Sequence, residues 1–334
     1  MRILIIGGTG LISTSTAHLL ADRGEQVVLY NRGLSMYPTA PGVTNLHGDR
    51  TNYSTFANQI IEAGRFDVVI DMIAYRPKDG ESTIQAFRGK VDQFIFCSTV
   101  DIYKKPATRY PYTEQEEYGG LNEYSRNKVC LEKMLRSAEK GGAFHLTIIR
   151  PAYTYGEGRG PIHPVSWEAC LDRIRKGKPV IIHGDGQSLW SCNHASDVGH
   201  TFANACGKPV TYGQAYHVTG EEWLTWDQYV EQIAAAIGVA CPRLVHIPSS
   251  ILTKVGITIC EENFQFDNIF DNSRAHRDLD YKYTISWKEG VQRMAKWFDD
   301  HKKWPDSNEH PLEDRLIDAW DQLNEDIIRI ISTN

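Results

Sequence analysis

Tyr124 and Lys128 stand four residues apart in a stretch, Asn122 to Lys140, whose spacing predicts one long helix, so the two side chains share a face. A phenol beside an ammonium group is proton-transfer chemistry. Free tyrosine has a pKa of ~10, too high for a base near neutral pH. A cation ~4 Å away at an effective dielectric of ~20 is worth ~4 kcal/mol, or roughly three pKa units, enough to bring the phenol into range. Thr99, just past the apolar run Gln93 to Cys97, can share the oxygen of a substrate hydroxyl with Tyr124. Thr99, Tyr124 and Lys128 are therefore the candidate catalytic set, moving a proton while a hydride passes to or from a cofactor. A tyrosine and a lysine at this spacing are by themselves an ordinary exposed helix face. The elements around them decide between the two readings.

The chain opens MRILIIGGTGLISTSTAHLLADRGEQVVLYNR. Arg2 to Ile6 reads as a buried parallel strand, Gly7-Gly8-Thr9-Gly10 as a turn, Leu11 to Arg23 as a helix ended by Gly24, and Val27 to Tyr30 as a second strand. Strand, glycine turn, helix and strand within about 30 residues make a dinucleotide-binding unit. Gly7 permits the tight turn and Gly10 lets backbone approach a pyrophosphate. Thr9, Leu11 and Ile12 belong to the helix N-terminus that faces the anion with free N–H groups. Ser13 stands where a third glycine is usual, and its small size predicts local adjustment with binding kept.

Asn31-Arg32 closes the second strand where the adenosine ribose would lie. A neutral Asn31 in place of an acid, followed by Arg32, admits a 2′-phosphate, so the cofactor reads as NAD or NADP. Arg32 could equally stack on adenine or face solvent. Asp49 and Arg50 follow a third strand, Val43 to His47, and are assigned to the adenine side, with a helix cap before Tyr53 to Gly64 the other reading of Asp49. A fourth strand, Asp67 to Ala74, runs into Tyr75-Arg76-Pro77, a helix covers Ser82 to Gly89, and a sixth strand, Leu146 to Ile149, ends at Arg150-Pro151. Strands at Val180 to His183 and Ala215 to Thr219 and helices at Trp167 to Lys176 and Ser196 to Cys206 complete the alternation. Alternating strands and helices predict an α/β fold, a Rossmann-type doubly wound parallel sheet with a smaller, mostly C-terminal substrate domain. Residues 1–157 and 178–222 are expected to form the dinucleotide-binding part, and 158–177 and 223–334 the substrate part. Ligands sit outside strand C-termini in such sheets, which adds Ile73, Ala74, Tyr75, Ser98 and Pro151 to the expected cofactor contacts.

These stretches resemble a known family, the extended short-chain dehydrogenase/reductases of the NAD-dependent epimerase/dehydratase group. The resemblance rests on GGTGLIS (7–13), Cys97-Ser98-Thr99 with Tyr103, YSRNK (124–128), RPAYTYG (150–156), GDGQSLWSCNHASDV (184–198) and a C-terminal set including Ser273-Arg274-Ala275 and Ser286-Trp287. It implies Thr99, Tyr124 and Lys128 as the catalytic residues, Lys128 also holding the nicotinamide ribose, and Pro151 packing on the nicotinamide. Two departures bear on substrate. Members such as UDP-galactose 4-epimerase carry an arginine at the place of Trp190, and tryptophan cannot pair with a diphosphate, though it can stack on a sugar. The sugar dehydratases carry Asp-Glu after the threonine, where this chain has Val100-Asp101. The substrate contacts expected are Tyr75, Thr99, Tyr153, Tyr155, His163 and Trp190, in an aromatic pocket that prefers an unactivated sugar or polyol to its UDP-linked form. Arg274 or Arg277 would supply the phosphate partner if that expectation fails.

The 334 residues carry net charge −6, which argues against a nucleic-acid partner. No apolar run reaches the ~18 residues of a membrane helix. Seven scattered cysteines without a C-x-x-C pair read as reduced thiols, hence a cytoplasmic protein with no metal site. The expectation is an NAD(P)-dependent epimerase passing through a transient keto intermediate, with a sugar or polyol dehydrogenase/reductase as the alternative, a non-catalytic cofactor-sensing or RNA-associated member as a third reading, and a homodimer as the assembly.

Overall fold

Arg2–Ile6 forms β1 because each of its β-branched and leucine side chains finds a buried face: Ile3 and Ile5 on one side of the sheet, Leu4 and Ile6 on the other. The computed structural model describes residues 1–332. After β1 come α1 (Leu11–Asp22), β2 (Gln26–Asn31), β3 (Thr44–His47), α2 (Tyr53–Ala63), β4 (Phe66–Asp71), α3 (Pro77–Phe87), β5 (Val91–Cys97), α4 (Glu123–Lys140) and β6 (His145–Pro151). With the later strand Gln214–Val218 they make a seven-stranded sheet, all parallel, in the order Gln214–Val218, β6, β5, β4, β1, β2, β3. The Rossmann-type expectation holds. Strand order reverses between β1 and β4, and the crevice beyond that reversal is where doubly wound sheets bind ligands.

The two sheet faces are covered differently. Ala17 and Leu20 of α1 pack with Val198 and Phe202 of the helix Ala195–Ala205 over Ile3, Ile5, Leu29 and Ile70. Phe56 of α2, Phe87 of α3 and Leu131 and Leu135 of α4 cover Leu4, Ile6, Val69 and Phe94. This second core sets the angle of α4, and with it the direction in which Tyr124 and Lys128 emerge.

The structure departs from the sequence reading at several elements. β4 stops at Asp71 because the Asp71 carboxylate accepts from the Ile73 N–H (3.1 Å) and turns the chain. α3 begins at Pro77, whose missing N–H costs nothing in a first turn, and Asp79 accepts from the Tyr75 and Arg76 N–H groups (2.8 and 2.9 Å). Val180–His183 pairs with Leu244–Ile247, not with the central sheet.

The chain divides into two units. The first comprises Met1–Thr154, Cys192–Glu221 and Phe270–Thr284, and the second Tyr155–Ser191, Glu222–Ile269 and Ile285–Asn334. Residues 178–191 thus belong to the second unit and 270–284 to the first, unlike the boundaries expected from sequence. The second unit is built around Ile181, Val245, Ile247, Leu252 and Ile317, with an aromatic cluster beside them. No helix among the described residues is long and apolar enough to cross a membrane.

Candidate functional site

Gly7 has φ +82°, a left-handed conformation that other residues adopt at a cost, and a Cβ there would lie 2.5 Å from the Ile73 side chain. Gly10 has extended backbone and is the N-cap of α1, with the Ser13 hydroxyl (3.3 Å) nearest to its missing Cβ. Ser13 explains how the turn tolerates its departure from glycine. Its Oγ accepts from the Gly10 N–H (2.7 Å) and donates to the Gly7 carbonyl (2.6 Å), closing the loop on itself. The first turn of α1 carries no acidic residue, so its positive end is left for an anion.

These residues open onto a cleft of about 430 Å³ within the first unit, inside the range of roughly 300–1,000 Å³ of small-molecule sites. Of the expected cofactor contacts, Gly7, Thr9, Gly10, Asn31, Arg32, Asp49, Arg50, Ile73 and Tyr75 line it. Leu34 and Ser35 line it too and were not foreseen, since they lie in an irregular stretch with no periodicity; Ser35 Oγ donates to the Thr9 carbonyl (2.5 Å), tying that loop to the glycine turn. A glycine cradle, an acid-free helix start and a cleft of this size fit the pyrophosphate and adenosine of a dinucleotide. Arg32 is exposed at the rim. Asn31 is buried and shapes the loop, its Oδ1 accepting from the Gly33 N–H (2.8 Å) and its Nδ2 donating to Asn45 (3.0 Å). Asp49 accepts from the N–H and hydroxyl of Thr51, and these bonds, ahead of the Arg32 charge, hold its carboxyl low.

Two of the expected cofactor residues have side chains engaged elsewhere. The Arg50 guanidinium is buried and given to Asp71 (2.5 Å), the Asp79 carbonyl (3.0 Å) and Thr83 (2.8 Å). Ser98 donates its hydroxyl to Glu132 (2.6 Å). Ala74 and Pro151 are buried, and Leu11 and Ile12 are half-buried at the start of α1. The Arg50 guanidinium and the Ser98 hydroxyl therefore serve the scaffold, and Arg50 does so while also lining the cleft.

At the end of β5 and the start of α4 the structure brings the expected catalytic set together. Asn122 caps α4 by accepting from the Ser125 N–H (2.9 Å), and Ser125 returns the contact by accepting from the Asn122 N–H (2.9 Å). Tyr124 emerges two residues past that cap, beside the Thr99 side chain, with the Tyr75 ring 6.2 Å from its own. Lys128 is buried; its Nζ donates to the Cys97 carbonyl (2.7 Å) and lies over the rings of Tyr75 and Phe96 (4.8 Å each) and of Tyr124 (5.8 Å).

The electrostatics depart from the sequence expectation. Tyr124 is 40% exposed. Burial, followed by the negative ends of Cys97, Asp101 and Tyr75, raises the phenol pKa above its ordinary value, and the Thr99 hydrogen bond only partly opposes this. Lys128 is aimed at a carbonyl instead of the phenol, so it does not supply the depression expected of a cation at ~4 Å. Burial in turn lowers the Lys128 pKa. The protein by itself keeps Tyr124 protonated.

The expected substrate contacts separate. Tyr75 and Thr99 stand with Tyr124, and Tyr153 is half-buried in the first unit. Tyr155, His163 and Trp190 are packed inside the second unit. Tyr155 is fully buried with its ring against Trp287 (4.6 Å), and Trp190 lies against Trp226 (5.1 Å) and Phe264 (5.0 Å). The His163 ring is held by the Ile181 carbonyl, the N–H groups of Val165 and Ser166 and the Ser166 hydroxyl. All three do core work, correcting the expectation of a sugar-stacking pocket. Arg274 and Arg277 are engaged with Gln214 and Asp278. Among the described residues no cluster of three or more His, Cys, Asp or Glu side chains could hold a metal.

Residues 3–218 match the NAD dependent epimerase/dehydratase family. The chain is 30% identical over 260 residues to the chloroplast stem-loop binding protein of 41 kDa b of Arabidopsis thaliana, a match covering 73% of this chain and 65% of that protein, just under two thirds of its length. It is 27% identical over 239 residues to 2′-dehydrokanamycin reductase of Streptomyces kanamyceticus, covering 71% of this chain and 67% of that protein. Among solved structures, UDP-glucose 4-epimerase of Thermotoga maritima has the same fold, with a TM-score of 0.73 at 19% identity over 91% of this chain and 100% of that one. With most of its length and nearly all of its central sheet inside the match, the chain belongs to the NAD-dependent epimerase/dehydratase family, whose members are NAD(P)-dependent enzymes.

Proposed function

We propose that this chain is an NAD(P)-dependent reductase of a carbonyl carbon in a sugar or sugar-like polyol, with Tyr124 as the proton donor. The observation that carries this reading is the placement of Tyr124: at the start of α4 beside Thr99, its ring 6.2 Å from that of Tyr75 and 5.8 Å from the Lys128 ammonium, with burial raising its phenol pKa. A neutral phenol is a general acid, which is what a carbonyl oxygen gaining negative charge requires. When bound, the dinucleotide supplies the hydride. Gly7 and Gly10 give the pyrophosphate room at the α1 N-terminus, Thr99 shares the substrate oxygen with Tyr124, and Lys128 adds positive charge beneath the Tyr75 and Tyr124 rings. The similarity to a protein named 2′-dehydrokanamycin reductase supports both the direction and a substrate without a diphosphate. The test is stoichiometric: a panel of keto sugars, free and UDP-linked, is offered with NADPH or NADH, and net oxidation of the cofactor with a free keto sugar is expected.

Epimerisation is the second reading, favoured by the family match. It would use the same Thr99, Tyr124 and Lys128 in both directions, and the panel separates it, because an epimerase scrambles a hydroxyl centre with no net change in cofactor. RNA association, suggested by the name of the Arabidopsis relative, predicts retention of a stem-loop RNA at physiological salt, which the net charge of −6 disfavours.

Cofactor choice follows from Arg32. Arg32→Ala is expected to weaken NADP by about 10- to 100-fold, the worth of a charge-assisted contact of about 1.5–3 kcal/mol, and NAD much less. Calorimetric titration of both cofactors checks this, and equal losses would place Arg32 outside the 2′-phosphate role.

A further inference from the structure

One stripe of α4 holds three consecutive residues beyond and at the end of β5. Tyr124 stands beside the Thr99 side chain, Lys128 donates to the Cys97 carbonyl (2.7 Å), and Glu132 accepts from the Ser98 hydroxyl (2.6 Å). Positions 124, 128 and 132 fall on one helix face, four residues apart, so the helix meets residues 97–99 like a three-point clamp. The first two points belong to the proposed chemistry. The third, Glu132, is fully buried and does not line the cofactor cleft.

Glu132 is fixed with unusual completeness. Arg150, equally buried, donates Nε to one carboxylate oxygen (2.9 Å) and Nη2 to the other (2.6 Å), and Tyr118 donates to the second oxygen (2.7 Å). Each oxygen thus accepts two hydrogen bonds, the geometry in which a buried ion pair is both rigid and satisfied. Burial acts to raise the Glu132 carboxyl, but the Arg150 charge and the bonds from Arg150, Ser98 and Tyr118 outweigh it, and the group stays ionised. Arg150 is anchored in turn: Nη1 donates to the Tyr103 hydroxyl (2.6 Å) and the Glu114 carbonyl (3.1 Å), and Tyr103 meets His217 Nε2 (2.5 Å) on the strand Gln214–Val218. Burial lowers the His217 pKa to about 3, so the ring is neutral and can accept from Tyr103. A chain of buried hydrogen bonds therefore runs from the edge strand of the sheet through Arg150 and Glu132 to Ser98, the residue bonded covalently to Thr99.

We infer that Glu132 is a positioning residue for the proton-transfer pair: through Ser98 it sets where Thr99 stands relative to Tyr124. The inference rests on the reading of Thr99 and Tyr124 proposed above. A positioning error of about 1 Å at a reacting pair can cost on the order of 10²-fold in rate, so removing the link should act on kcat, leaving the cofactor cleft alone.

Glu132→Gln tests this directly but leaves Arg150 with a poorer partner in the interior, which alone can unfold a protein. Ser98→Ala removes only the link, keeping the Glu132–Arg150 pair whole, and its unfolding midpoint should stay within about 4 °C of the parent. Two readouts apply to full-length protein. In turnover of a keto sugar with NADPH, Ser98→Ala should lower kcat by about 10-fold or more with the KM for NADPH unchanged within about 2-fold. In ¹⁹F NMR of 3-fluorotyrosine-labelled protein, with the Tyr124 signal assigned by its loss in Tyr124→Phe, Ser98→Ala should shift that signal. An unmoved Tyr124 signal together with parental kcat overturns the inference. If the parent reduces none of the sugars, the proposed function fails, and the Tyr124 signal alone then decides the positioning role.

Discussion

Tyr124→Phe is expected to lower kcat by about 10²-fold or more and to leave dinucleotide affinity unchanged. The substitution keeps the ring that faces Tyr75 (6.2 Å) and lies near Lys128 (5.8 Å), so packing is preserved and only the hydroxyl is lost. Thr99 keeps its contact with the Asp101 N–H (3.2 Å) and cannot replace the lost donor, because an aliphatic hydroxyl is a far weaker acid than a phenol. The pH dependence has a sign that follows from the raised phenol pKa. Reduction needs the protonated phenol, present throughout the ordinary range, so its rate should stay flat from about pH 6 to 9 as far as Tyr124 governs it. Oxidation of the corresponding alcohol needs the tyrosinate, and its rate should climb with pH across the same interval. Burial also lowers the Lys128 pKa, and a fall at the alkaline end of the reductive profile would report that second group losing its charge. Stopped-flow measurement of cofactor absorbance in both directions checks all of this, and near-parental turnover by the phenylalanine variant would remove Tyr124 from the proton path.

The parts of this site that could be read in the sequence are those set by local periodicity. β1, α1 and β2 were legible because the apolar run, the glycines and the helical spacing lie within one short stretch, and the Tyr124–Lys128 stripe because four residues is a helical repeat. Glu132, one helical repeat further on, is not singled out in the sequence, because its meaning depends on Arg150, placed against it only when β6 lies beside β5. Trp190 and His163 failed as site residues for a related reason. An aromatic or imidazole side chain near a strand end looks alike whether it faces a cleft or a core, and here Phe264 and Trp226 from distant segments close over one while the Ile181 carbonyl accepts from the other. Val180–His183 was recognisable as a strand, but its partner Leu244–Ile247 was not, since pairing is a long-range choice made by the whole second unit. The expected cation at Tyr124 was a spacing argument that left out the Cys97 carbonyl, which takes the Lys128 ammonium for itself.

Arg50→Met is expected to destabilise the protein by about 3–5 kcal/mol and to leave the preference between NADP and NAD unchanged. From sequence Arg50 reads as an adenine-side contact; in the structure its charge belongs to the sheet. Asp71, at the end of β4, is fully buried, Arg50 is 3% exposed, and Nη1 lies 2.5 Å from the carboxylate. Nη2 donates to Thr83 and to the Asp79 carbonyl on α3, and the guanidinium lies over the Phe56 ring at 5.3 Å. One side chain thus ties the loop after β3 to β4, α2 and α3 beneath the cofactor cleft. Methionine keeps much of the volume but strands the Asp71 charge in the interior, and an uncompensated buried charge is the costly outcome, far more so than the loss of an exposed pair. Adding Asp71→Asn should therefore recover a large part of the loss, a coupling that a double-mutant cycle measures and that an independent cofactor contact would not show. Because the chain forms two units, the relevant unfolding transition is the one protected by NADP. An unchanged midpoint combined with a tenfold weaker hold on NADP alone would return Arg50 to the cofactor; a large shift, rescued by Asp71→Asn, assigns it to the scaffold that holds the cleft open.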